Sequence, residues 1–299
     1  MTSSRWLLLG AVAFTVLAWS SAFIVIRGVG PFLDGGPLAL GRLVIGTVAL
    51  GILLVLSRRW VRPTRREWVQ LAVYGVAWFG IYNVALNTAE QTLDAGTAAM
   101  IVNIGPILIA LGAGLFLGEG IPKWLAIGAA VAFVGVVLIG IGTSLAQGTA
   151  RPVDVVGAVL ALAAAVTYAA GVLVQKPVVR RLPAIQVTFL GCVIGMLACL
   201  PFAGTLGAQL SVAPPPTWWA VAYLGVVPTA LAFTTWAYAL QRMPAGQLGI
   251  STYVVPPLAI VMGFLAFREV PHPLALVGGV VCLVGVALSR RRPRTAVAG

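Results

Sequence analysis

The chain contains an internal repeat at a constant offset of 150 positions. Residues 86–138 align with residues 236–288 without a gap. The identical pairs include Gln91 and Gln241, Gly96 and Gly246, Pro106 and Pro256, and Glu119 and Glu269. Each half carries five apolar segments long enough to cross a bilayer. Because five is odd, the second half enters the membrane from the opposite side, an arrangement typical of secondary transporters.

Composition predicts the same class. The chain is 60% hydrophobic and 9% charged, whereas soluble domains carry about 25% charged residues. We predict an all-α integral membrane protein with ten transmembrane helices, in two inverted repeats at 1–145 and 152–290, followed by a basic tail at 291–299. The predicted helices cover 6–26, 36–57, 67–88, 94–117, 121–142, 153–173, 184–205, 217–239, 246–267 and 273–289. The short connections leave no room for a soluble catalytic domain.

Basic residues indicate the orientation. The net charge of +12 could suggest a nucleic-acid partner, but its placement favours a membrane. If the N-terminus is cytoplasmic, only Arg27, Arg151 and Arg268 of the 19 Lys and Arg residues face outside, and Arg42 lies within the second helix. This is the positive-inside bias. We therefore expect a multi-pass protein of the bacterial inner (plasma) membrane with both termini cytoplasmic, functional as a monomer, with a small-molecule substrate and the lipid bilayer as partners.

Polar and aromatic side chains concentrate on predicted helices 1, 3, 4, 6, 8 and 9. Because polar groups within a membrane face protein or water-filled cavities, we expect these helices to line a central cavity, with helices 2, 5, 7 and 10 outside them. On helix 3 the two asparagines are four residues apart and share one face; hydrogen bonds between helices are the alternative role. The candidate substrate-binding residues are Trp78, Tyr82, Asn83, Asn87, Asn103, Tyr168, Trp236, Tyr238, Ser251 and Tyr253.

Prolines occupy repeat-related positions in the middle of two of these helices. Pro106 lies in helix 4, and Pro256, followed by Pro257, lies in helix 9. A proline within a helix removes one backbone hydrogen bond and kinks the helix. We predict two gates, one for each side of the membrane; static kinks needed for packing are the alternative.

Charged residues near the helices receive structural roles in this interpretation. Glu119 and Glu269 close helices 4 and 9, and we predict that they cap helices 5 and 10, with proton coupling as the alternative. Arg42 is predicted to be an anchor that extends toward the outer surface, with substrate binding as the alternative. No acidic residue lies deep in a predicted helix. The single histidine, His272, and three scattered cysteines predict no metal site and no cofactor.

At these residues the chain resembles the drug/metabolite transporter superfamily, in its ten-helix EamA-type branch. The resemblance rests on Trp19 to Phe23, Arg42, and the run from Ala85 to Glu119 that the run from Ala237 to Glu269 repeats. It implies a bundle of inverted repeats that exports substrate from the cytoplasm. Within the branch, the aromatic-rich cavity is most similar to the YddG-type exporters of aromatic and other amino acids.

The sequence therefore predicts an exporter of small neutral or zwitterionic metabolites, most of all amino acids including aromatic ones, that works by alternating access. A broad-specificity drug exporter is the alternative. Organic cations are disfavoured because residues 6–26 contain no acid, and phosphorylated substrates because the cavity has no lysine. A membrane enzyme would need paired acids or a nucleophile with its base, and a channel would need charged rings. We predict neither.

Overall fold

The protein is helical throughout its described part. A computed structural model describes residues 2–93, 100–146, 154–268 and 270–291, and no strand occurs in these ranges. Seven helices are long and apolar enough to cross a membrane, and a bent pair of helices would make an eighth span. Two shorter apolar helices, Met100–Phe116 and Pro273–Ser289, complete the set within the described ranges.

The first repeat contributes helices α1 to α5. Its third helix is continuous but changes its hydrogen-bonding pattern, so that one π-helical segment lies between two α-helical ones. The bounds are α1, Thr2–Val29; α2, Gly35–Ser57; α3, Arg65–Tyr74, the π-helical Gly75–Ile81 and Tyr82–Thr92; α4, Gly105–Phe116; and α5, Lys123–Ala146.

The second repeat contributes helices α6 to α10. The seventh helix bends by 53° and reaches Val212, beyond the predicted end at residue 205. The bounds are α6, Val155–Val179; α7, Ala184–Ala198, Leu200–Phe202 and Ala203–Val212; α8, Pro215–Leu224, the π-helical Gly225–Leu231 and Ala232–Arg242; α9, Ala245–Ser251, Thr252–Val254 and Val255–Phe267; and α10, Pro273–Ser289.

The repeat extends to the irregularities of the helices. The π-helical segments Gly75–Ile81 and Gly225–Leu231 have the same length and occupy equivalent positions in the two halves. Such wide turns are uncommon and occur frequently at functional sites. The residues at their fourth positions are not identical, since Trp78 in α3 corresponds to Pro228 in α8.

Each proline follows a local change in the helical pattern: a turn at residues 103–104 directly before Gly105–Phe116, and the 3₁₀ turn Thr252–Val254 in α9. We call these two places the breaks. Pro106 is the second residue of Gly105–Phe116, and Pro256 is the second residue of Val255–Phe267. A proline is readily accommodated there because the first turn of a helix needs no N–H donor. The two repeat-related positions therefore share the same local irregularity, and each is the start of a new helical segment.

Helices α5 and α10 pack against each other through glycines. A Cβ atom added to Gly285 would lie 2.3 Å from the backbone nitrogen of Ala132, and one added to Gly135 would lie 2.4 Å from that of Cys282. Cys282 also donates its thiol hydrogen to the carbonyl of Ala132, at 3.2 Å between Sγ and oxygen. Only small residues allow two helix backbones to approach this closely. Elsewhere in the bundle, α2 packs against α7.

Candidate functional site

An aromatic cluster fills the middle of the bundle, where the two repeats meet. We call it the central aromatic cluster. Its members are Trp19, Trp78, Phe79, Tyr168, Phe233 and Trp236. The ring centroids of Trp19 and Trp236 are 5.1 Å apart, and those of Phe79 and Phe233, one from each repeat, are 4.5 Å apart. These separations are within the range of favourable aromatic contacts.

Glycines on neighbouring helices make room for the large rings. A Cβ atom on Gly171 of α6 would lie 2.7 Å from the Cβ of Trp78, and one on Gly105 would lie 2.7 Å from the Cδ1 of Tyr168. Gly105 is also the first residue after the break in α4. The cluster therefore packs directly against one of the two breaks.

Two buried polar atoms of the cluster, the indole nitrogen of Trp236 and the hydroxyl oxygen of Tyr168, have no hydrogen-bond partner among the described residues. The indole N–H of Trp236 is buried and meets no acceptor among the described residues. A buried donor without an acceptor costs about 1–3 kcal/mol, and such groups in native proteins require an explanation. The N–H of Trp236 is thus a buried, unpaired donor at the junction of the repeats.

Several candidate residues are part of the cluster or lie at its edge. Trp78 and Trp236 are each 1% exposed, and the Tyr168 ring centroid is 5.1 Å from that of Trp78. Tyr82 lies at the edge, 5.9 Å from Tyr168 between ring centroids. The sequence predicts these four residues as part of the site. It does not predict Phe79 and Phe233, because phenylalanines in an apolar helix carry no polar signal.

The two asparagines of α3 bind backbone carbonyls. Asn83 donates through Nδ2 to the carbonyls of Trp78, at 3.1 Å, and Phe79, at 2.9 Å, and so closes the π-helical segment. Asn87 donates through Nδ2 to the carbonyl of Gly35 in α2, at 3.1 Å. Its buried Oδ1 has no donor within the described ranges. Asn83 therefore has a structural task, while Asn87 keeps one acceptor free.

The two breaks contact each other. Tyr253 donates its hydroxyl hydrogen to the carbonyl of Asn103, with 2.9 Å between the oxygens. The two residues are repeat mates, 150 positions apart, and each lies just before a new helical segment. The breaks in α4 and α9 are therefore joined directly by a hydrogen bond between the halves.

Two candidate residues lie away from the central aromatic cluster. Tyr238 lines a surface groove with Trp6, and the guanidinium carbon of Arg242 is 3.5 Å from its ring centroid. Ser251 accepts a hydrogen bond from Nη2 of Arg290 at 3.2 Å, in the contact between α9 and α10. The structure does not bring these two side chains to the middle of the bundle.

Arg42 does not extend toward the surface, contrary to the prediction. Its side chain is 6% exposed, and Nε donates to the hydroxyl oxygen of Thr229 at 3.0 Å. Thr229 in turn donates to the carbonyl of Leu224 at 2.8 Å, across the π-helical turn of α8. Arg42 is thus held within the bundle by the second repeat.

Glu119 is predicted to cap α5, but its carboxylate instead binds the second repeat. Its Oε2 accepts from the backbone N–H of Gly246 in the first turn of α9 at 3.3 Å, and its Oε1 lies 3.8 Å from Nζ of Lys176. Lys176 donates to the carbonyls of Leu240, at 2.6 Å, and Met243, at 2.7 Å. Its repeat mate Glu269 lies outside the described residues.

A second ion pair, which is not predicted from the sequence, joins the halves at the same end. Arg181 donates through Nε to Glu67 at 2.6 Å, and its Nη2 also contacts that carboxylate. Glu67 belongs to a capping box with Thr64 at the start of α3. Its hydrogen bond raises the pKa of Arg181. The spacing of Thr64 and Glu67 in the sequence indicates the capping box, but not the ion pair with Arg181.

One acidic residue lies within a long apolar helix, although none was predicted there. The predicted third helix ended at residue 88, but α3 continues to Thr92 and includes Glu90. The Glu90 carboxylate interacts electrostatically with Arg42 and Tyr82. The site therefore contains a carboxylate as well as a guanidinium.

Known proteins are similar to this chain in sequence and in fold. A model of the EamA-like transporter family matches residues 5–141 and again residues 155–291. The chain belongs to this family. It is therefore a membrane transporter built from two EamA repeats, and the resemblance to the drug/metabolite transporter superfamily is confirmed.

Relatives cover the chain almost from end to end. A probable terminal-alkyne amino-acid exporter of Streptantibioticus cattleyicolor is 36% identical over 286 residues, which are 94% of this chain and 93% of the relative. The uncharacterized transporter YdfC of Bacillus subtilis is 31% identical, over 91% of this chain and 87% of the relative. A crystal structure with 22% sequence identity superposes with a TM-score of 0.76, over 94% of this chain and 95% of that one, and has the same fold.

Proposed function

We propose that this transporter exports amino acids, including aromatic ones, across the bacterial inner membrane. The observation that carries the proposal is the central aromatic cluster at the junction of the repeats, with the buried, unpaired indole N–H of Trp236. Substrates of inverted-repeat transporters bind at this junction. The relative from Streptantibioticus cattleyicolor, a probable terminal-alkyne amino-acid exporter, supports the same substrate class.

The cluster suits a substrate with an apolar side chain and polar main-chain groups. Aromatic rings offer their faces to apolar groups and attract an ammonium group by cation–π interaction, which contributes about 0.5–2 kcal/mol. The N–H of Trp236 and the free Oδ1 of Asn87 add one donor and one acceptor. Neutral zwitterions match this combination better than phosphorylated molecules, which need several cationic groups.

We propose ten membrane crossings with both termini in the cytoplasm. In this orientation the pairs Glu67–Arg181 and Glu119–Lys176 lie at the cytoplasmic end. The hydrogen bond from Nε2 of Gln209 to Asp34, at 2.6 Å, lies at the other end. In this orientation the two ion pairs between the halves lie on the cytoplasmic side. Most basic residues lie on that side as well, which agrees with the positive-inside bias.

Alternating access would use the paired breaks. Because the halves are inverted, the segment Gly105–Phe116 points toward one side of the membrane and Val255–Phe267 toward the other. We propose that helices α3 and α4 rock against α8 and α9, and that each segment closes one access path. In this mechanism, the hydrogen bond from Tyr253 to Asn103 keeps the two breaks together during the movement.

Counterflow in proteoliposomes tests the proposal. Wild-type protein should exchange labelled phenylalanine for a panel of unlabelled amino acids, measured at several pH values. Trp236→Phe removes the indole N–H but keeps an aromatic ring, and we expect a loss of at least fivefold in exchange. The matched control is Trp219→Phe, because Trp219 is 78% exposed on the outside of the bundle. Equal rates for the two variants, or no exchange by wild type, would refute the proposal.

A broad-specificity drug exporter is the second candidate function, since an apolar aromatic cluster also fits hydrophobic drugs. The same proteoliposomes decide between them. Efflux of several unrelated drugs, together with no amino-acid counterflow, would establish the drug exporter. Competition of amino acids with one another, but not with drugs, would establish the amino-acid exporter.

A further inference from the structure

Arg42 is a buried cation without an ion-pair partner. Its side chain is 6% exposed, and no carboxylate among the described residues lies within the 4.0 Å of a salt bridge. Its one hydrogen bond there runs from Nε to Thr229. Among the described residues, no acceptor forms a hydrogen bond with the two terminal nitrogens of the guanidinium. Charged groups inside a membrane protein are normally paired, and exceptions mark functional sites.

The surrounding backbone fixes the direction of this guanidinium. Helices α2 and α8 approach closely, since a Cβ on Gly46 would lie 2.9 Å from Cγ2 of Thr229 and one on Gly225 would lie 2.8 Å from the carbonyl of Arg42. Thr229 is itself held by its bond to Leu224. With Nε tied to Thr229, the terminal nitrogens form a fork of donors, and such a fork matches the two oxygens of a carboxylate.

A carboxylate and an amide lie together on the facing helix. Asn83, Asn87 and Glu90 are spaced by four and three residues, so they share one face of α3. This face of α3 packs against α2, since Asn87 donates to the carbonyl of Gly35. Glu90 is close enough to Arg42 for an electrostatic interaction, but the two groups form no salt bridge among the described residues. One anionic and one cationic side chain therefore lie near each other without a direct ion pair, as the two poles of a zwitterion require.

The charges occur in one repeat only. The repeat mate of Arg42 is Cys192, and the mate of Glu90 is Leu240. The internal symmetry of the fold therefore does not require either charge. A buried guanidinium that is neither paired nor needed by the repeat points to a ligand.

We infer that Arg42 binds the carboxylate of the transported molecule and that Glu90 binds its ammonium group. The side chain of the substrate then contacts the central aromatic cluster. This inference rests on the proposed function and names the groups that recognise the substrate. It assigns a binding role to Arg42 in addition to its anchoring to Thr229.

Three probes of similar shape test the two charged contacts. Phenylalanine carries both groups, phenethylamine lacks the carboxylate, and 3-phenylpropionate lacks the ammonium group. Dissociation constants are measured by isothermal titration calorimetry on purified protein. Wild type should bind phenylalanine at least tenfold more tightly than either analogue, which corresponds to about 1.4 kcal/mol.

The variants should remove one preference each. Arg42→Gln should bind phenethylamine and phenylalanine with about equal affinity. Glu90→Gln should bind 3-phenylpropionate and phenylalanine with about equal affinity. Arg66→Gln is the matched control, because Arg66 is exposed at the start of α3, and both preferences should remain. If Arg42→Gln does not fold, Arg42→Lys replaces it. A lysine keeps the charge without the fork, so we then expect a several-fold loss of the carboxylate preference.

An unchanged carboxylate preference in a folded Arg42 variant would overturn the inference for Arg42. An unchanged ammonium preference in Glu90→Gln would overturn it for Glu90. Failure of the proposed function would look different. Wild type would then show no amino-acid counterflow in liposomes. It would still bind 3-phenylpropionate, and Arg42→Gln would abolish that binding. The carboxylate site would then be supported although the protein does not export amino acids.

Discussion

Alanine at Gly285 should destabilise the protein, whereas alanine at Gly279 should not. Both glycines lie within α10. A Cβ on Gly285 would lie 2.3 Å from the nitrogen, 2.6 Å from the Cα and 2.7 Å from the Cβ of Ala132 in α5. A Cβ on Gly279 would meet its nearest neighbour, the Cβ of Pro257, at 3.6 Å, an ordinary contact distance. On the same helix, an added methyl group is therefore sterically crowded at Gly285 but has ordinary contact distances at Gly279.

The comparison isolates the cost of the close contact. Replacing glycine by alanine within a helix contributes about 1 kcal/mol of stability through helix propensity, and this gain is common to both sites. At Gly285 the added methyl group meets backbone atoms, which cannot move aside by changing a side-chain rotamer. Overpacking typically costs about 1–3 kcal/mol. The two variants should therefore differ in their free energy of unfolding by about 1–3 kcal/mol.

Thermal unfolding in detergent measures the difference. The three cysteines are free and buried, so a thiol-reactive fluorescent dye reports their exposure as the protein unfolds. Gly279→Ala should unfold at or above the wild-type temperature, and Gly285→Ala clearly below it. If both variants unfold at the same temperature, α5 and α10 do not pack at the described distance, and the reasoning fails.

Four further predictions concern the breaks, the π-helical turn and the topology. Asn83→Ala leaves two buried carbonyls without their side-chain donor and should lower stability by about 1–3 kcal/mol; unchanged unfolding with lost transport would instead make Asn83 a binding residue. Tyr253→Phe removes the bond between the breaks and should cost about 0.6 kcal/mol, measured by the same unfolding assay. Pro106→Ala and Pro256→Ala should each slow counterflow more than they change substrate affinity, and wild-type rates in both would exclude gating. A single cysteine at Thr64 should react with impermeant reagents only from the cytoplasmic side, and labelling in intact cells would contradict the orientation.

Much of the fold follows from the sequence because the repeat is so regular. The offset of 150 that aligns Pro106 with Pro256 also aligns the two helix breaks and the two π-helical segments. Hydrophobic periodicity alone does not reveal those segments, because a wide turn changes which residues face inward without changing composition. The partner of Glu119 was also beyond reach. The sequence places α5 directly after it, whereas packing brings α9 of the other repeat to its carboxylate.

The site was predictable in part. Trp78, Tyr168 and Trp236 come together as their aromatic character suggested. Tyr238 could have been excluded, because it is two residues from Trp236 and residues at that spacing do not face the same side of a helix. Glu90 was missed for another reason. The apolar run stops at residue 88, but the helix does not, and a helix end is among the least reliable features of a sequence prediction.

Under the proposed alternating-access mechanism, the repeat distinguishes the residues that would take part in the movement from those that would bind the substrate. Gly128 and Gly135 of α5 have identical mates in α10, and the proline at each break is also repeated. A symmetric exchange between two conformations needs equivalent parts in both halves, so these positions are constrained to be alike. A substrate with a carboxylate at one end and an ammonium group at the other has no such symmetry, and the residues that bind it must differ between the halves. Pairs that differ in chemistry include Arg42 and Cys192, Glu90 and Leu240, Trp78 and Pro228, and Asn87 and Ala237. Such differences are expected if an asymmetric molecule binds between two symmetric halves.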